Sequence, residues 1–224
     1  QKDYKGFMSN AQFPELIPYT GSVRDYFYSS SAGEFDPAFD VVGPVTIDYS
    51  QYDARQSNNA QALVEAALDA ADSLVNYKDY DRDGDGTVDM VFFLFAGGGS
   101  NFSGNDSRLL WPHASTVLSK SLDGVRFGRY ACSTELYGRP QSKIIDGIGT
   151  ICHEFSYVRG IADLYDTDGT GSGGSSVTPG KWTLMAQGSY LNQSRTPCAY
   201  SAYERYAAGF STPEKLNKKG TYTV

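Results

Sequence analysis

An α+β fold is what the sequence predicts, and three stretches carry that prediction. Between Asn58 and Tyr77, the residues Ala62, Leu63, Ala66, Ala67, Ala70, Leu74 and Tyr77 recur at three and four positions, the apolar stripe of an amphipathic helix. Val91 to Ala96 is an unbroken apolar run of strand length, as expected of a central strand covered on both faces. Ile144 to Arg159 again has a helical pattern and closes at Gly160, a good C-terminal cap. No repeat and no interdomain linker interrupts the chain, so 1–224 reads as a single domain.

The remaining elements follow in order. Ser22 to Tyr28 opens with a Ser cap and an Asp in the first turn, which predicts a short helix. Phe39 to Ile47 alternates loosely with β-branched residues and predicts a strand, broken at Gly43-Pro44. The long helix then runs into Asp81-Arg82-Asp83-Gly84-Asp85-Gly86-Thr87-Val88-Asp89, an acidic turn placed just before the apolar run. Gly97 to Ser100 predicts a flexible loop, and short strands are expected around Gly124 to Cys132. Asp166 to Gly180 has no periodicity and reads as a loop. Ser201 to Ala208 reads as a last short helix before a polar tail.

Charge and composition exclude several functions. Nineteen Lys and Arg against 26 Asp and Glu give a net charge of −7, which argues against nucleic acid or anionic membranes as partners. The apolar run from Met90 to Ala96 is far short of the roughly 20 residues of a membrane span. Aromatics make up 14% of the chain, mostly Tyr, and with many Gly and few Lys this composition fits a secreted protein. No signal peptide is visible at Gln1, as expected of a mature or trimmed form. The cysteines Cys132, Cys152 and Cys198 allow one disulfide with a free thiol, or none. With two histidines, His113 and His153, any site requiring three histidine ligands is excluded.

The chemistry concentrates in His153-Glu154-Phe155-Ser156-Tyr157-Val158-Arg159-Gly160-Ile161-Ala162-Asp163. In the H-E-x-x-H pattern two imidazoles one helical turn apart face one zinc ion, and the Glu takes a proton from the metal-bound water. A Gly after the helix turns the chain, and a ligand three residues later completes such a site. Here the second histidine is replaced by Tyr157. The acidic turn has its own reading: D-x-D-x-D-G is the opening of a calcium loop, with Asp81, Asp83, Asp85 and Asp89 as candidate ligands. Its twelfth position, where a bidentate acid belongs, is Phe92. The alternative is a solvated acidic turn.

An ordered series of segments adds a family resemblance. It runs from Gly21-Ser22-Val23-Arg24-Asp25-Tyr26-Phe27 through the Asp81–Asp89 turn, Trp111-Pro112-His113, Cys132-Ser133-Thr134-Glu135-Leu136, Gly149 to Phe155 and Asp163-Leu164-Tyr165-Asp166. It ends with Pro179 to Tyr190 and Tyr200-Ser201-Ala202-Tyr203-Glu204-Arg205. Over about residues 20 to 213 the chain resembles the immune inhibitor A family of metzincin-like metallopeptidases. The hydrophobic strand with which that family usually begins has no counterpart before Gly21. The resemblance implies a zincin-like domain with a twisted sheet, an active-site helix and a methionine turn below the metal. It implies a secreted or cell-surface zinc endopeptidase, often calcium-stabilised, acting on polypeptide.

Carried over by position, His153 matches the first zinc ligand, Glu154 the general base, Asp163 the third ligand and Met185 the methionine of the turn. Tyr157 matches the second histidine without its chemistry, since a phenol of reference pKa about 10 must lose its proton to bind well. Arg159 and Ala162 stand where Leu and Pro are usual in that family. His113 falls in a segment the resemblance marks as structural, so a hydrogen-bonded histidine is expected there rather than a substitute ligand. These departures predict weak zinc binding and little or no proteolysis. Three functions follow: a zinc endopeptidase with Tyr157 as an unusual ligand, a pseudopeptidase whose cleft binds polypeptide or glycan, and a structural surface domain. Substrate and oligomeric state are not written in the sequence.

Overall fold

The computed structural model describes residues 4–9, 12–13, 19–102, 106–117, 119–138 and 144–222. In chain order the elements are helix α1 (Tyr4–Ser9), strands β1 (Gln12–Phe13) and β2 (Tyr19–Thr20), and helices α2 (Val23–Ser30), α3 (Gln51–Gln56) and α4 (Ala60–Ala71). Strands β3 (Thr87–Val88), β4 (Val91–Gly98), β5 (His113–Thr116), β6 (Ser121–Leu122), β7 (Val125–Phe127) and β8 (Arg129–Leu136) follow, then helices α5 (Ile148–Val158) and α6 (Ala202–Ala207).

Capping chemistry sets several helix starts. Ser22 and Asp25 form a reciprocal capping box at α2, and Ser201 and Glu204 form another at α6. The predicted long helix keeps its stripe but stops at Ala71, where 3₁₀ turns at Asp72–Leu74 and Tyr77–Tyr80 take over. Phe39 to Ile47 is not a strand. Gly43 sits at φ +102°, and Pro44 has no N–H to offer a ladder, so the alternation there does not build a sheet.

The sheet runs β4–β8–β5, with β4 parallel and β5 antiparallel to β8. A second small sheet, β3–β7–β6, leads into it, because β3 precedes β4 and β7 precedes β8 in both parallel pairs. β8 is therefore the central strand, and β4 lies at the edge among the described strands, which corrects the expectation for Val91–Ala96. The other half of that expectation holds. Phe92 and Leu94 pack against the core that contains α2 and α5, while Val91, Phe93 and Phe95 pack on the α4 side. An all-apolar run reports two covered faces rather than a place in the middle of a sheet. Gly97 and Gly98, expected in a loop, extend β4 past a register shift after Phe95.

The helix expected from Ile144 begins at Ile148, with Gly147 as its N-cap. Two glycines let it pack closely. A Cβ on Gly147 would lie 2.0 Å from the Ser194 carbonyl, and one on Gly149 would lie 1.9 Å from the Ser189 carbonyl oxygen. At the other end Gly160, at φ +83°, turns the chain out of the helix. The upstream strand missing from the resemblance concerns a stretch in which residues 1–3, 10–11 and 14–18 lie outside the described residues.

Candidate active site

Helix α5 carries His153 and Tyr157 four residues apart, so both side chains leave the same face. Residues 148 to 156 are buried, because the helix is covered by α2, β8 and the 183–195 segment. After Gly160, the N–H of Ile161 donates to the Ser156 carbonyl at 3.2 Å and that of Leu164 to the Met185 carbonyl at 2.8 Å. These bonds bring Asp163 back beside the helix.

The His153 ring is held at both nitrogens. Nδ1 bonds the Leu184 carbonyl at 3.0 Å, and because a carbonyl only accepts, Nδ1 carries the hydrogen. Nε2 faces the Tyr157 hydroxyl at 3.1 Å. That hydroxyl donates to Asp163 Oδ1, which lies 3.6 Å from His153 Nε2. One phenolic oxygen thus touches both groups and has one proton to serve them. Burial, opposed by the Leu184 carbonyl and by Asp163, lowers the pKa of His153. Burial and then the hydrogen bond to Asp163 push the Tyr157 phenol far above its ordinary value.

Glu154, 3% exposed, is the next residue on the helix, and its Oε2 has no hydrogen-bond partner among the described residues. Burial, and secondly the charge of Asp163, raise its carboxyl well above the usual carboxylate range. Tyr165 and Tyr190 close this side. Their phenols are raised first by burial, Tyr190 to about 12, and both feel the Glu154 charge.

Met185 is fully buried, next in the chain to the Leu184 whose carbonyl holds His153. Its carbonyl receives Leu164, its N–H donates to Glu204 Oε1 at 2.8 Å, and the residue before it supplies the carbonyl that holds the imidazole. The sequence assigned a role to Met185 alone of these; Glu204, Leu184, Tyr165 and Tyr190 stood in the quoted segments without one. Ser201-x-x-Glu204 is a visible capping box, but the second role of Glu204 under Met185 depends on tertiary packing.

The other residues singled out lie elsewhere. Carboxylate oxygens of Asp81, Asp83 and Asp85 come within 4.8 Å of one another, and Asp89 is not in that group. His113 bonds the Trp111 carbonyl and the Tyr130 hydroxyl, both at 2.8 Å, in keeping with a hydrogen-bonded structural histidine. Cys132, Cys152 and Cys198 are free thiols, so of the two pairing options the structure has none.

The chain is also similar to known proteins. Pre-pro-metalloprotease PrtV of Vibrio cholerae serotype O1, in strain M66-2 and in strain ATCC 39315 / El Tor Inaba N16961, is 24% identical over 214 residues. The match covers 82% of this chain and 23% of the relative, so the chain spans under a quarter of that protein's length. A family profile described as the immune inhibitor A peptidase M6 catalytic domain matches residues 17–210. The chain belongs to the immune inhibitor A peptidase M6 family, through that family's catalytic domain.

Proposed function

We propose that this chain is a zincin-like M6 domain that binds polypeptide and cleaves it little or not at all. The observation that carries the reading is the Tyr157 hydroxyl, which touches both His153 Nε2 and Asp163 Oδ1. A catalytic zinc takes three protein ligands and leaves a position for water. Here the ordinary ligands are His153 and Asp163, and the third group is a phenol whose proton is held by Asp163 and whose ionisation is opposed by burial. This donor set does not fit a catalytic zinc. Without an ion to acidify it, water keeps a pKa near 15.7, and a buried carboxyl such as Glu154 cannot take its proton at neutral pH.

Polypeptide is favoured over glycan by membership in a peptidase family. A hollow of ≈ 160 Å³ beside Tyr157, lined also by Ala114, Ser115, Thr116, Arg129 and Val158, supports the same choice. It adjoins β5, which pairs only with β8 among the described strands, so an extended chain has backbone groups to bond there. The Leu184 carbonyl on His153, one residue before the buried Met185, supports the methionine turn of a zincin. In the same reading the three clustered aspartates are a calcium site, supported by the buried, unpartnered Oδ1 of Asp81. Export to the cell surface or medium is supported by the relative's pre-pro designation, and no helix among the described residues is long and apolar enough to cross a membrane.

One observation favours an active zinc endopeptidase instead. The 3.6 Å between His153 Nε2 and Asp163 Oδ1 suits two ligands of one ion with bonds of about 2 Å. Casein cleavage with added zinc decides between the two. The chain as it stands should give negligible cleavage, and Tyr157→His should gain activity that Glu154→Ala in that background removes. Robust, chelator-sensitive cleavage by the unmodified chain, lost on Glu154→Ala, establishes the endopeptidase reading.

A further inference from the structure

We infer that the Tyr157 hydroxyl replaces an ion as the cross-link of this cleft, tying α5 to the Asp163 segment so that the site holds its shape without metal. The inference rests on the reading above and extends it from lost catalysis to a retained architecture. Beside a phenol contact from Tyr165 to Tyr157, three ties among the described residues hold residues 161–166 against the helix and the 183–195 segment. Two are backbone bonds, Ile161 N–H to Ser156 and Leu164 N–H to Met185. The third is the side-chain bridge, in which Asp163 accepts from Tyr157 while His153 stands 3.1 Å from the same oxygen.

The reach of the side chain makes this possible. A phenol oxygen extends further from the backbone than an imidazole nitrogen, so at position 157 it arrives between Nε2 and Oδ1 rather than stopping short of them. The ring is also fixed from the side, edge-on to the His153 ring at 5.2 Å between centroids. The imidazole cannot swing away, because Nδ1 is anchored on the Leu184 carbonyl. A metal centre holds its ligands in the same manner, with an outer partner fixing the far nitrogen of the histidine. Here the outer partner is present and the inner contact is a hydroxyl.

Tyr157→Phe keeps the ring and removes the bridge, leaving Asp163 and His153 without their shared partner. The melting temperature should fall by about 3–8 °C for a domain of this size. Amide hydrogen exchange at Leu164 and its neighbours should speed up about tenfold or more, while exchange in α4 stays as it was. At constant calcium, the unmodified chain should melt at the same temperature with a zinc-selective chelator and with added zinc. Tyr157→His should lose protection at Leu164 in chelator and regain it with zinc, an ion-specific rescue that general loosening does not produce. Unchanged Leu164 exchange in Tyr157→Phe overturns the inference, and so does a fall in the melting temperature of the unmodified chain caused by a zinc-selective chelator at constant calcium. The two failures are separable, because the reading above fails on casein cleavage and this one on exchange in Tyr157→Phe.

Discussion

Glu204 is buried without exposure and anchors the Met185 segment. Its Oε1 accepts the Met185 N–H at 2.8 Å and its Oε2 accepts the Ser201 N–H at 2.6 Å, so one carboxylate joins α6 to the segment whose Leu184 carbonyl holds His153. Glu204→Ala removes both acceptors. The Met185 N–H is then stranded in a fully buried position, at about 1–3 kcal/mol. The lost half of the capping box adds about 1 kcal/mol. The emptied side-chain volume adds more, for a total of roughly 3–5 kcal/mol. At about 2–4 °C per kcal/mol for a domain of this length, the melting temperature should drop by roughly 6–20 °C in scanning calorimetry. Glu204→Gln keeps one acceptor in place and should fall between the two. A drop of less than about 2 °C in Glu204→Ala would refute the claim that this carboxylate holds the Met185 segment.

Two further outcomes follow from buried and clustered acids. Burial raises Asp146 to about 7 from 3.8, so the folded state keeps a proton that the unfolded state releases above pH 4. Its contribution is complete below that pH and is lost as pH rises through 7; Asp146→Asn should remove up to roughly 4 kcal/mol of this decline between urea melts at pH 4 and pH 8, leaving the part due to Glu154. A slope unchanged by Asp146→Asn contradicts the buried-acid assignment. If Asp81, Asp83 and Asp85 bind calcium, millimolar calcium should raise the melting temperature through the folded state alone, and Asp83→Ala should abolish the rise. Identical curves with and without calcium leave a solvated acidic turn.

What was legible in the sequence depends on the range of the interaction. Ser22 with Asp25 and Ser201 with Glu204 are local capping pairs, and both helices start where those pairs stand. The α5 stripe and Gly160 were readable for the same reason, within one residue of the observed C-terminus. Phe39–Ile47 misled because alternation says nothing about whether a partner strand exists, and Pro44 withholds a donor. The Val91–Ala96 run revealed two covered faces but not an edge position, since pairing order is decided by residues far away in the chain. At the site, His153, Glu154, Tyr157, Asp163 and Met185 were all visible as residues. The bridging role of Tyr157 was not, because it depends on where Gly160 returns the chain. The Leu184 anchor was invisible for a simpler reason, since every residue has a carbonyl and no pattern marks the one in use.

Zinc content per chain tests the central claim most directly. Protein prepared without chelator, saturated with zinc and freed of unbound metal, can be measured by plasma emission spectroscopy. A phenol that keeps its proton between His153 and Asp163 leaves too few ligands, so the expected value is far below one zinc per chain. A value near one zinc per chain, abolished by Tyr157→Phe, would contradict the account by making Tyr157 a ligand of the metal it is held here to replace.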